Sequence, residues 1–165
     1  MILTGHKIAS EVKAKNISIT PFQSTHINPN SYDYRLGDEL KECVAFRNGK
    51  SIFRRVKIPK GGYTLKPHRV YLGATYEKIG SRRYTTSLIG KSSLGRLGLF
   101  LTHSANLGHR GNFHKWTLEL CAVRKLIVYP RMIIGQVSFW KNRGRVELYK
   151  GVYGQLNVAH EAVFL

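Results

Sequence analysis

An all-β barrel or sandwich is the architecture that this 165-residue sequence predicts, on three observations. Short runs rich in Val, Ile, Tyr, Phe and Trp recur along the chain. Gly, Pro and Asn punctuate them, and helical spacing occurs once. A hydrophobic fraction of 42% with 22% charged residues matches an ordinary globular chain, so disorder, collagen and coiled coil are disfavoured. The length supports a single domain over 1–165, with a short tail from about 149.

The helix comes first. Ile8, Ala9 and Val12 line one face behind Thr4, a suitable N-cap, and the periodicity ends before Asn16. Strands are then expected over 17–19, 32–36, 51–53, 70–74, 116–123, 126–129, 133–140 and 146–149, with Pro59, Pro67 and Pro130 in the gaps. Alternation is clearest after residue 115: Trp116, Leu118 and Leu120 share one face, and Thr117, Glu119 and Cys121 the other.

Charge narrows the partners. Against 27 Lys and Arg stand 9 Asp and Glu, a formal charge of +18, which favours nucleotides, nucleic acid or anionic lipid. No apolar run approaches the roughly 20 residues that a bilayer needs, and the first residues lack a basic-then-apolar leader, so a cytoplasmic protein without a membrane anchor is expected. Cys43 and Cys121 are too few for a disulfide framework and are expected as buried apolar side chains.

Two segments carry chemistry. Gly90-Lys91-Ser92-Ser93-Leu94-Gly95-Arg96-Leu97-Gly98 combines glycine-freed amides, two hydroxyls and two cations, a set suited to phosphate oxygens, although a plain glycine-rich turn has the same composition. It is not a P-loop, because Thr85 stands where that motif needs its first Gly and no convincing helix follows. Glu119 sits inside an apolar strand, where pairing or desolvation prepares a carboxylate for proton transfer; a solvated strand face is the alternative. His103, His109 and His114 are spaced by six and five residues, not on one helical face. The His-x-Glu and Pro-Cys-x-x-Cys signature of zinc deaminases is absent, and a structural or surface role is expected for each histidine.

Several of these segments, in this order, resemble the dCTP deaminase branch of the trimeric dUTPase superfamily. They are Met1-Ile2-Leu3-Thr4-Gly5, the stretch from Ile27 to Gly37, Gly90 to Leu99, Trp116-Thr117-Leu118-Glu119-Leu120 and Tyr129 to Gln136. The resemblance implies a distorted jelly roll, or β-clip, with a short N-terminal helix, assembled as a homotrimer whose sites are built from more than one subunit. It implies Glu119, Ser92 and Arg96 as catalytic residues, Glu119 activating water against C4 of cytosine. It further implies nucleotide contacts from Lys91, Ser92, Ser93, Arg96, Ala105, His109 and Trp116, and from Tyr149, Tyr153 and Gln155 in a tail that closes over the site. The resemblance implies no catalytic metal, with Mg²⁺ accompanying the triphosphate.

The activity so implied is hydrolytic deamination, most simply dCTP and water to dUTP and ammonia. A dUTP diphosphatase, or a bifunctional enzyme, is the alternative, and a degraded, basic nucleic-acid-binding protein of the same fold is another. Two positions depart from the pattern. His109 stands where the family places a sugar-contacting aspartate, and Val152 where it places a phosphate-binding lysine. Both bear on sugar selectivity and on phosphate chemistry.

Overall fold

The computed structural model describes residues 1–101 and 105–162. Helix α1 (Gly5–Lys13) forms where the spacing places it: Thr4 accepts a hydrogen bond from the Lys7 amide at 3.4 Å, and Ile8 is fully buried. Lys7 and Glu11, one turn apart, pair at 2.8 Å. Strands follow as β1 (Ile17–Thr20), β2 (Tyr32–Arg47), β3 (Lys50–Lys57), β4 (Tyr63–Leu65), β5 (Val70–Thr75), β6 (Lys78–Ser81) and β7 (Thr85–Gly90). A short helix α2 (Ser92–Leu97) then precedes β8 (Leu99–Leu101), β9 (Leu107–Gly108), β10 (Phe113–His114), β11 (Thr117–Ala122), β12 (Leu126–Val128) and β13 (Ile133–Trp140).

All described pairings are antiparallel. An eight-stranded sheet runs β8-β11-β5-β2-β13-β7-β9, with β3 added on β2; β1-β6-β10 and β12-β4 form smaller sheets. The long strand β2 makes the main sheet curl. Tyr32–Arg35 pairs with β13, then the strand passes to β5 and β3, with register shifts between Leu36 and Leu40 and between Cys43 and Ala45. Bulges at these points bend the strand and increase its twist. The concave side buries Tyr32, Tyr34, Leu36, Tyr71, Leu118, Leu120 and Phe139.

Three expectations are corrected. The segment 146–149 is irregular: Tyr149 bonds only one strand-like partner, its amide to the Arg110 carbonyl at 2.9 Å, too little to make a ladder. The Ser92 segment is helical, not a turn, and Gly98 closes it at φ 94°, a left-handed conformation that suits glycine. Cys43 and Cys121 are half-buried, since both lie on outward faces of their strands. Among the described residues no helix is long and apolar enough to cross a membrane.

Acids are rare and mostly bound. Glu42, fully buried, accepts from Arg54, from Arg69 at 2.7 Å and from Tyr63 at 3.1 Å. Burial raises its pKa, but these donors together outweigh burial and hold the carboxyl below the usual range. A depressed folded pKa stabilises the fold above the ordinary carboxylate pKa of about 4.3, and that stability is lost as pH falls through the lower folded value. Urea midpoints between pH 6 and 2.5 should therefore drop on the acid side, and Glu42→Gln should flatten that part of the profile. An unchanged acid limb would remove Glu42 from the effect.

Candidate active site

Strand β11 alternates as its sequence demands: Leu118, Leu120 and Ala122 point into the core, while Thr117, Glu119 and Cys121 face outward. Glu119 pairs in register with Leu72 of β5, and the strand is flanked on its other side by β8 from Leu120 onward, so the carboxylate emerges from a strand held by two neighbours. There it lines a cavity of about 750 Å³. Phe53, Val70 and Leu72 supply an apolar floor, and the 149–162 tail supplies the roof.

Aromatic rings form one wall. Trp116 donates its indole N–H to the Ile79 carbonyl at 2.9 Å, and its amide to the Thr75 hydroxyl at 2.9 Å. His114 packs on it with ring centres 4.4 Å apart. Gly108 lies under the indole, where a Cβ would overlap both the Trp116 ring and the Thr86 hydroxyl. Burial lowers the His114 pKa, opposed by the Lys115 and Leu156 carbonyls, so this imidazole is neutral at pH 7. His109 is exposed and stacks on Tyr149 at 5.3 Å and 13°.

The tail is tied across the opening by polar bonds. The His160 amide donates to the Thr117 hydroxyl at 3.1 Å, beside Glu119, and Lys41 pairs with Glu161 at 3.1 Å. Tyr153 meets His160 edge-on at 6.3 Å.

Of the residues singled out in the sequence, the cavity gathers Glu119, Ala105, His109, Trp116, Tyr149 and Tyr153. It does not gather Lys91, Ser92, Ser93 or Arg96. Both serines and Arg96 are exposed on α2, and the Lys91 ammonium is bound to Asp33 at 2.6 Å. Gln155 falls in the 3₁₀ turn Val152–Gln155, and His103 lies outside the described residues. Sequence reasoning weighed His114 only as a metal ligand, and it missed Thr117, Lys41, His160 and Glu161. Only Thr117 had a signal, two positions from Glu119 on the same strand face. No group of three His, Cys, Asp or Glu residues that could hold a metal ion occurs among the described residues.

A family model of dCTP deaminase-like proteins matches residues 2–142. A protein of Rhodopirellula baltica named dCTP deaminase is 42% identical over 147 residues, covering 87% of this chain and 74% of the relative. A Clostridium beijerinckii protein named dCTP deaminase, dUMP-forming, is 38% identical over 152 residues, with coverages of 90% and 87%. In three dimensions the chain is similar to the 2′-deoxycytidine 5′-triphosphate deaminase of Agrobacterium tumefaciens, with a TM-score of 0.70 at 20% identity. That match covers 86% of this chain and 48% of the other, so this chain spans about half of that structure's length, and it supports the dUTPase-like jelly roll. With a strand glutamate opening on a cavity of this size and a family match over residues 2–142, the chain belongs to the dCTP deaminase-like family.

Proposed function

We propose that this protein hydrolytically deaminates the cytosine of dCTP, with Glu119 as the proton-transfer residue. The observation that carries this reading is a carboxylate held by a rigid strand on the floor of a nucleotide-sized cavity, in a family whose relatives are named for that reaction. Glu119 takes a proton from water as the oxygen attacks C4 and delivers it to ring N3; it then takes the proton of the new C4 hydroxyl and delivers it to the departing amine. The atoms balance: the water oxygen stays as the C4 carbonyl, one water proton stays on N3, and the other leaves with the amino group as ammonia. Neutral His114 and the indole of Trp116 wall off bulk water and strengthen the carboxylate's field.

In this reading Ser92 and Arg96 reach the site from a second copy of the chain, because α2 presents them on the surface and away from their own cavity. A homotrimer with shared sites accounts for that placement. Mg²⁺ would travel with the triphosphate, whose oxygens and waters complete its shell.

Incubation with dCTP, CTP, dCMP and dUTP, with ammonia and pyrophosphate measured separately, tests the proposal. Ammonia from dCTP is expected. Its absence with every cytosine nucleotide would overturn the reading, and absence of both products would favour a basic binding protein. The C. beijerinckii relative's name favours a second reading in which pyrophosphate is released as well and dUMP is the product; equimolar pyrophosphate would establish it.

His109 gives a further expected result. An imidazole is a poorer acceptor for a sugar hydroxyl than a carboxylate, so discrimination of dCTP from CTP should be weak. His109→Asp should raise the ratio of kcat/KM for dCTP over CTP by about tenfold. A wild type already strongly selective for deoxyribose would sink this account of position 109.

A further inference from the structure

Away from Glu119, a second cleft of about 370 Å³ opens where the end of α1 meets the small sheet β1-β6-β10. Lys15, Arg82 and Arg83 line it, with Asn16, Ser18 and Asn112 as neutral neighbours. No carboxylate lines the cleft, and among the described residues none of the three cations has an acid within 4.0 Å. Glu11, on the adjoining helix, is held by Lys7. Three like charges thus face one cavity without a counter-charge.

The backbone that carries these cations is fixed. Ser81 accepts from the Arg83 and Tyr84 amides at 2.9 and 3.0 Å, and donates to the Asn16 carbonyl at 2.6 Å. Arg110 clasps the Arg82 carbonyl with Nε and Nη2 at 2.9 and 2.7 Å. These bonds join the β6–β7 turn, the β9–β10 loop and the end of α1. Asn112, 5% exposed, lines this cleft as well as the Glu119 cavity.

We propose that this cleft is a binding site for a polyphosphate, separate from the nucleotide cavity. Two guanidinium forks and an ammonium match several adjacent phosphate groups better than a single carboxylate, and the Ser18 hydroxyl can bond a remaining oxygen. The phosphates could belong to free polyphosphate or to a nucleotide's tail, and Asn112, which lines both cavities, connects an occupied cleft to the active site.

Titration calorimetry at fixed ionic strength tests the site on the whole chain, using inorganic tripolyphosphate and dUTP as probes. Against wild type, Arg82→Ser/Arg83→Ser should weaken one class of tripolyphosphate binding by about tenfold or more. Unchanged tripolyphosphate binding would overturn the proposal. If wild type binds two dUTP per chain and the variant one, the cleft takes nucleotide tails. If both proteins bind one dUTP while tripolyphosphate is lost, it takes free polyphosphate. Lys15→Ser, beyond the end of α1 and outside any strand, supplies the same readout should the double variant unfold. None of these measurements uses turnover. A protein that binds tripolyphosphate as expected but releases no ammonia would defeat the deaminase reading alone.

Discussion

Glu119→Gln is expected to slow deamination by about 10²–10⁴-fold, the usual loss when a positioned general base is removed, while nucleotide affinity stays within about tenfold. The amide keeps the volume and the place of the carboxylate on β11, so the floor of the cavity is preserved; what it loses is the capacity to take a proton from water. On the proposed mechanism Arg96→Ala should be as damaging, for another reason: it would remove a cation proposed to stabilise developing charge. Because Glu119 and Arg96 lie apart within one chain, mixing the two inactive variants should restore activity by joining an intact Glu119 from one copy to an intact Arg96 from another. No recovery after verified subunit exchange would confine the site to a single chain. Turnover by Glu119→Gln near the wild-type rate would take Glu119 out of the mechanism.

The largest effect on stability is expected at Glu77. Its side chain is fully buried and accepts from Arg35 Nε at 2.6 Å and from the Arg35 amide at 2.9 Å, while its carbonyl accepts from Thr75 at 2.7 Å. Arg35, 12% exposed, also lies over the Tyr76 ring at 4.8 Å, with Arg131 on the same ring at 4.7 Å. Glu77→Ala strips the buried guanidinium of its counter-charge and leaves a backbone N–H without an acceptor. Removing one partner of such a pair costs about 3–5 kcal/mol. Equilibrium urea denaturation measures it, and a loss below about 1 kcal/mol, the level of an exposed pair, would show that Arg35 finds water or another partner.

Periodicity made strand β11 readable. In β11 a two-residue period assigned Leu118 and Leu120 to the core and Glu119 outward, and the structure keeps that assignment. The first helix was legible too, because Thr4 and the Ile8, Ala9, Val12 spacing are local signals. Strand β7, Thr85-Thr86-Ser87-Leu88-Ile89-Gly90, escaped notice because its hydroxyls read as a loop; it is a strand because β13 pairs with it over six residues. Val146 to Tyr149 failed in the opposite sense, having strand-forming residues but no neighbouring strand. The tail's hold on the cavity, through Thr117 with His160 and Lys41 with Glu161, joins residues 43 and 120 positions apart, and no local pattern announces such pairs.

The register of β11 constrains how chains of this kind can change length. The strand is paired through Leu118 with Gly73 and through Glu119 with Leu72 on one side, and through Leu120 with Leu101 on the other. Inserting or deleting one residue within it would turn every later side chain to the opposite face, carrying Leu120 out to water and a polar residue into the core. Single-residue length changes are therefore excluded from this strand and its two neighbours, whereas the irregular stretch 141–151 can absorb them without disturbing any ladder. Divergence in length should collect between β13 and the tail, so that the roof of the cavity is free to be remade while the spacing around its glutamate stays constant.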